Sequence, residues 1–331
     1  MRAIVVREFG GPEVLRIEEV PDPVPGAGEL LVKVAASGIQ FIETQTRTGT
    51  LQGVSPVAPK SLPWIPGREV AGEVVAVGDG VSADWIGRRV LGVTVPVGGG
   101  PGGGYAELAV VNAEGSHQLP DTLAYADAVS LLGTGRTALG LVELAEVGKG
   151  DTVLVEGAVG VLSMQLARAA GAERVIALVR GGDKAQVAKE YGADFAIDTS
   201  TGDWPTQVRE AVPEGVTMVF DGVGGELGAA TFDLVARGGR FVIFGFSSGA
   251  MTKVDPGHAA ERAVSVLSLF GQPTGPRSPE EQYRQSRDVL AAVAEGRIRT
   301  LVGSRFPLAQ AGEAHAAIAA RRTIGKTVLE P

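Results

Sequence analysis

Apolar and polar positions alternate in short runs along the first ~120 residues, the period expected of half-buried strands. The runs fall at residues 2–6, 14–20, 29–36, 70–77, 88–93 and 105–111. The first two are joined through Gly10, Gly11 and Pro12 and predict a hairpin. Pro21-Asp-Pro-Val-Pro-Gly26 is a rigid connector. Residues 48–66, rich in Pro, Ser and Gly without a helical period, predict a loop. Residues 98–104, six glycines and one proline, predict a mobile surface loop.

The rhythm changes near Leu119-Pro120. Helical composition covers 124–132 and 135–145, and strands then alternate with helices. The strands are predicted at 152–155, 174–179, 195–197, 217–221, 239–245 and 264–269. The helices between them are predicted at 161–170, 184–191, 206–212 and 227–235. The strand runs are almost unbroken in apolar character, which predicts a parallel sheet covered on both faces. Helices at 280–295 and 309–320 and a strand at 326–329 complete the chain, which shows no internal repeat.

Composition narrows the chemistry. The 331 residues make room for about two domains, and 44% hydrophobic with 21% charged residues is a globular balance. There is no cysteine, which removes disulfides, iron–sulfur clusters, thiol nucleophiles and cysteine-ligated zinc. Only three histidines occur, His117, His258 and His315, too scattered to suggest a metal site. A net charge of −8 argues against nucleic-acid binding. No apolar run reaches the length of a membrane span and no secretory leader is visible, so a cytoplasmic protein is expected. The 48 glycines demand tight turns or close backbone approaches.

Three glycine turns follow predicted strands. Gly157-Ala158-Val159-Gly160 leads directly into a helix beginning at Val161, the arrangement that presents helix N-terminal amides to a pyrophosphate. An ordinary strand-to-helix turn has the same appearance. Asp221-Gly222-Val223-Gly-Gly225 and Gly245-Phe246-Ser247-Ser-Gly249 end two later strands, where ligands of open α/β sheets sit. Arg180 ends the next strand, about twenty residues past Gly160, where an arginine can pair with the 2′-phosphate of NADP and Lys184 can reinforce it. The alternative for both is a solvated helix end.

These blocks, in this order, resemble the zinc-independent quinone oxidoreductases of the medium-chain dehydrogenase/reductase superfamily, with enoyl reductases close behind. The resemblance rests on Pro66-Gly-Arg-Glu-Val-Ala-Gly-Glu-Val74, residues 38–49, Thr137-Ala138, Phe220-Asp-Gly-Val-Gly-Gly225, Gly239-Gly-Arg-Phe-Val-Ile-Phe-Gly245 and Gly325-Lys-Thr-Val-Leu329. It implies an α/β architecture: a discontinuous GroES-like β-rich catalytic domain, 1–121 with 273–331, and a Rossmann doubly wound parallel-sheet domain, 122–272. It also implies an active site in the interdomain cleft with NADPH across it, and a homodimer through the strand at 264–269. Thr137, Phe270, Gly271 and Arg321 would join the three glycine turns, Arg180 and Lys184 around NADPH.

Two departures from the family shape the expected chemistry. Arg68 stands where the zinc-using branch has a histidine ligand, so hydride transfer would need an acceptor already activated by conjugation, a quinone or an α,β-unsaturated carbonyl. Donors would then stabilise the developing oxyanion. Gln40 and Gln45 replace the family's usual Asn and Tyr; Gln40 can still donate, whereas Gln45 lacks the ring. Arg68 either points at the substrate or pairs with Glu69 or Glu43, and Tyr105 either lines the pocket or packs in a strand. The phosphate turn is also about three residues shorter than the family's Gly-Ala-x-Gly-Gly-Val-Gly, which would weaken its grip. The expected activity is an NADPH-dependent, zinc-free reduction of a quinone or enone. The alternatives are an enoyl-thioester reductase and a catalytically silent nucleotide-binding scaffold.

Overall fold

The computed structural model describes residues 1–53, 58–95, 102–157, 160–269 and 278–331. In chain order the first elements are β1 (Arg2–Val5), β2 (Arg16–Glu19), β3 (Glu29–Ile39), α1 (Phe41–Thr48), β4 (Glu69–Val77), β5 (Arg89–Val93), β6 (Leu108–Asn112), β7 (His117–Gln118) and α2 (Tyr125–Val129). Then come α3 (Gly133–Leu144), β8 (Thr152–Glu156), α4 (Gly160–Ala169), β9 (Arg174–Val179), α5 (Gly182–Glu190), β10 (Phe195–Asp198) and α6 (Trp204–Ala211). These are followed by β11 (Val216–Asp221), α7 (Gly225–Phe232), β12 (Val235–Ile243), α8 (Pro256–Glu261), β13 (Ser265–Ser268) and α9 (Pro279–Ala294). The chain closes with β14 (Val302–Pro307), α10 (Ala311–Ala319) and β15 (Lys326–Glu330).

Two compact units result: residues 1–133 with 301–331, and residues 134–300. Their borders differ from the expected 121/122 and 272/273. Helix α9 belongs to the second unit because Arg284 and Gln285 donate to the Glu143 carboxylate on α3, at 2.9 and 2.7 Å.

The first unit is built on a seven-stranded sheet in the order β14-β15-β3-β4-β5-β7, with β6 also pairing β3. Its pairs are antiparallel except β14 with β15. The predicted hairpin of β1 and β2 forms, antiparallel and in register from Arg2 opposite Glu19 to Val5 opposite Arg16. Part of the glycine-rich run departs from expectation. Residues 98–101 lie outside the described residues, but Gly103 and Gly104 are buried, and the Gly104 amide donates to Gly67 O at 2.7 Å. A Cβ on Gly103 would stand 2.0 Å from Ile65 O, so glycine here permits close backbone packing rather than mobility.

The second unit holds a six-stranded sheet in the order β10-β9-β8-β11-β12-β13, and every pair is parallel. This is the doubly wound order, with its reversal between β8 and β11. Leu154, Ile176, Val219 and Phe241 are fully buried and pack with Phe232, as the unbroken apolar strands required. Among the described residues no helix is long and apolar enough to cross a membrane.

Candidate active site

In the first unit, β3 ends at Ile39 and Gln40 starts α1. Glu43, in the first turn, reaches back to accept from the Gln40 amide at 2.8 Å, one half of a capping box. Gly49 closes the helix in the left-handed region, φ 81°. The Gln40 side chain is thereby aimed at Glu69, the first residue of β4, and its Nε2 donates to Glu69 Oε1 at 2.5 Å. A carboxylate can only accept, so the amide nitrogen must face it. The same Oε1 accepts from the Gly133 amide at 2.6 Å, and Oε2 accepts from Lys326 Nζ at 2.9 Å. Both side chains of this ion pair are buried, at 7% and 2% exposed. A Cβ on Gly133 would come within 2.2 Å of Glu69 Oε1, and one on Gly38 within 2.7 Å of Lys326 Cε. Glycine at both places makes room for the pair.

The other predicted residues of this unit have distinct positions. Gln45 is half-buried on α1. Arg68 is exposed; only its amide bonds to Glu43, Oε1 at 3.0 Å, and its guanidinium makes no ion pair with Glu69, Glu43 or any other described carboxylate. Tyr105 is fully buried, its hydroxyl 3.0 Å from Glu43 Oε2 and 3.0 Å from His315 Nε2. It lies in the core of this unit rather than at a surface, because its hydroxyl finds both partners inside. Arg321 follows α10 with φ 57°. Sequence reasoning missed Glu43, His315 and Lys326 as site residues, since their partners lie far away in the chain.

In the second unit the three glycine turns converge at the carboxyl ends of β8, β11 and β12. Gly157, φ +91°, places its Cβ position 3.3 Å from the Gly222 backbone. A side chain on Gly245 would meet Gly222 O at 2.3 Å, and one on Gly222 would meet Phe244 Cζ at 2.5 Å and Glu156 O at 3.0 Å. Ser247 and Ser248 amides donate back to Gly222 O and Val223 O at 3.4 and 2.8 Å, with Phe246 half-buried between. The Gly160 amide donates to Gly157 O at 3.2 Å, so the shortened turn closes within four residues before α4 and Val161 follow. Ala158, Val159, Phe270 and Gly271 lie outside the described residues. Thr137 is half-buried on α3. Arg180 is exposed just past β9, with Lys184 on α5. Beside Arg180, the Asp198 carboxyl accepts from the Gly181 and Ser200 amides at 3.0 and 2.9 Å. Those amides hold its pKa low.

Beneath this cradle lies an acid pair the sequence did not suggest. Asp221 Oδ1 accepts from the Gly224 amide at 2.7 Å and from the Val223 amide at 3.2 Å, and Oδ2 from Thr252 Oγ1 at 2.5 Å. Glu156, 1% exposed, has its Oε1 3.0 Å from Thr231 Oγ1, itself 3.0 Å from Gly228 O. One hydroxyl proton cannot serve both contacts. Burial, then the charge of Asp221, push the Glu156 pKa well up. Both effects favour a neutral Glu156, and a hydrogen bond donated by the Thr231 hydroxyl opposes them.

The residues present suit a dinucleotide and not a zinc ion. The glycine cradle leaves space that a Cβ would fill, at the switch point of a doubly wound sheet and the start of the ten-residue helix α4. The chain has no cysteine, and the described residues contain no cluster of three His, Asp or Glu that could hold a metal.

Comparison with known proteins finds matches along both units. The family model for an alcohol dehydrogenase GroES-like domain matches residues 26–121, and that for a zinc-binding dehydrogenase matches residues 158–291. The quinone oxidoreductase of Pseudomonas aeruginosa is 34% identical over 98% of this chain and 97% of its own. Among solved structures, a mycobacterial protein in complex with NADPH is 37% identical, with 100% of both chains covered and a TM-score of 0.86. Escherichia coli quinone oxidoreductase complexed with NADPH is 30% identical, again with 100% of both chains covered, at a TM-score of 0.86.

Two outcomes follow from the buried charges. Lys326→Met leaves Glu69 ionised and buried without its cation, and chemical denaturation should show a loss of about 3–5 kcal/mol. Adding Glu69→Gln should restore much of it. Glu156→Gln tests the neutral acid. In the wild type the native state keeps a proton that the unfolded chain releases above the usual glutamate pKa. Stability therefore falls as pH rises from that value toward the raised native one. Denaturation at pH 5, 6.5 and 8 should find Glu156→Gln more stable than wild type at pH 8, with the gap closing toward pH 5.

Proposed function

Because the chain belongs to the quinone oxidoreductase family of the medium-chain dehydrogenase/reductase superfamily, and is an oxidoreductase, we propose that it uses NADPH to reduce a quinone or an activated α,β-unsaturated carbonyl without zinc. The observation that carries this reading is the convergence of the 157, 222 and 245 turns on one strand-end cradle, with exposed Arg180 at the tip of the neighbouring strand.

NADPH, when bound, supplies the hydride. The amides at the start of α4 and the turns at Gly222–Val223 and Gly245–Ser247 would hold its pyrophosphate and nicotinamide half, and Arg180 with Lys184 its 2′-phosphate. Thr137 of the second unit is assigned to the same cofactor. In the first unit, Gln40 has one Nε2 hydrogen committed to Glu69, which fixes the plane of its amide. The second hydrogen is free to donate to an acceptor oxygen as negative charge develops there. Arg68 adds an exposed cation, with no ion pair among the described residues, to the same end of β4. Glu69 itself moves no proton, because both its oxygens are occupied. The proton that completes reduction comes from solvent. Gln45 narrows or widens the pocket but carries no step. Strand β13 stands at an edge of the six-stranded sheet, and we assign it to a homodimer contact that sedimentation velocity would reveal.

Steady-state rates with benzoquinones, 9,10-phenanthrenequinone and crotonyl thioesters test the acceptor class. Quinone turnover is expected; thioester turnover alone would move the assignment to an enoyl-thioester reductase. Fluorescence titration that finds NADPH binding without turnover of any acceptor would leave a silent binding protein. Arg180→Ala should raise KM for NADPH about ten- to hundredfold, a loss of about 1.5–3 kcal/mol, with little effect on KM for NADH. A wild-type preference for NADH would remove the role given to Arg180.

A further inference from the structure

The first unit buries a set of titratable groups that hydride transfer does not use. Tyr105 and His315 have no solvent exposure, and their rings meet edge to face with centroids 5.7 Å apart. The tyrosine oxygen stands 3.0 Å from both Glu43 Oε2 and His315 Nε2, and it has one proton for two contacts. Glu43 settles the direction. Its oxygens accept the backbone amides of Gln40 at 2.8 Å and Arg68 at 3.0 Å. Two amide donors favour an ionised carboxylate, which can only accept from Tyr105. The tyrosine oxygen must then accept from His315, whose proton lies on Nε2. His315 Nδ1 is buried with no hydrogen-bond partner among the described residues, as suits a bare lone pair better than an N–H.

We propose that His315 and Tyr105 are positioning residues for the reductase site: a one-way hydrogen-bond chain, His315 Nε2–H to Tyr105 O–H to Glu43, keeps Glu43 in the form that clamps the amides of Gln40 and Arg68. This rests on the reading that Gln40 and Arg68 act on the acceptor. The two amides belong to different elements, the start of α1 and the approach to β4. One carboxylate spanning both sets the spacing between the Gln40 side chain and the Arg68 cation. A protonated Glu43 would lose an acceptor and release one of the two.

The surroundings set the balance. Burial pushes the Glu43 pKa up, and the charge of Glu69 pushes the same way. The Gln40 amide, the Lys326 cation and the Tyr105 hydroxyl oppose it. Arg47, on α1 and itself buried, has Nε and Nη1 without partners among the described residues, and its charge bears on both Tyr105 and His315. Glu13 bears on Arg47 in turn. Burial takes His315 down to about 3, so it stays neutral. Removing the tyrosine hydroxyl leaves burial less opposed, and Glu43 takes up a proton at higher pH.

Long-range 1H–15N spectra of the full chain, with His315→Gln assigning the resonance, read the tautomer directly. A neutral Nε2–H histidine that does not titrate from pH 8 to 5 is expected; an Nδ1–H form, or titration in that range, overturns the chain. Kinetics read its consequence. Tyr105→Phe should move the acidic limb of kcat up by about one pH unit, with KM for NADPH changed less than about twofold. His315→Leu should do the same, whereas His315→Gln, whose amide can donate from near Nε2, should keep the wild-type limb. An unchanged limb in Tyr105→Phe, or His315→Gln no better than His315→Leu, overturns the positioning role. If His315→Leu fails to fold, Tyr105→Phe and the wild-type spectra still decide. A wild type inactive with every acceptor overturns the reductase reading, and the tautomer then stands or falls by itself.

Discussion

The first unit is organised around one buried carboxylate. Glu69 draws the Lys326 ammonium, the Gln40 amide and the Gly133 backbone to the head of β4. An ionised group taken out of water is tolerable only if its lone pairs are filled and its charge is matched, so each of these partners is obligatory once Glu69 is there. The requirement spreads outward through sterics. Gly38 and Gly133 must lack side chains, or the pair cannot close. Ser37 Oγ donates to Glu69 O at 3.1 Å and ties the same residue to β3. Strands β3, β4 and β15, and the start of α1, are thus fixed against one another by polar bonds as well as by pairing.

Those polar bonds mark the limit of what the chain revealed as a string of letters. The second unit was legible because its physics is local: each strand is a run of apolar residues, and the parallel order follows from strand-helix alternation. The glycine turns were legible for the same reason. Helix α1 was not read as a helix, because its inward face is Glu43, Thr44, Thr46 and Arg47 and no apolar period betrays it. His315 matched no site because its partner Tyr105 is 210 positions away, and Lys326 meets Glu69 across 257. Strand β14 went unread, since Gly303 and Pro307 interrupt its pattern. The resemblance to quinone oxidoreductases supplied what periodicity could not: a β-rich unit assembled from both ends of the chain.

The two units handle buried acids in opposite ways, and the difference suits their contents. Glu69 is kept ionised by a cation and by donors. Among the described residues Glu156 makes no ion pair, and its Oε1 meets the Thr231 hydroxyl, which also contacts Gly228 O. The first arrangement gives a rigid anchor for the side chains proposed to meet the acceptor. The second gives a neutral group below the turns.

Neutrality there bears on the role proposed for the cradle. Burial pushes the Asp221 pKa up, and three donors oppose it, two of which, the amides of Val223 and Gly224, belong to the second glycine turn. With both Asp221 and Glu156 ionised, two negative charges would lie at the ends of adjacent strands, near the turn proposed to hold the pyrophosphate. Protonation of Glu156 would remove one of these two charges. At the end of the central strand, burial and the charge of Asp221 push the Glu156 pKa up and so favour the neutral form that the proposed phosphate site would tolerate best.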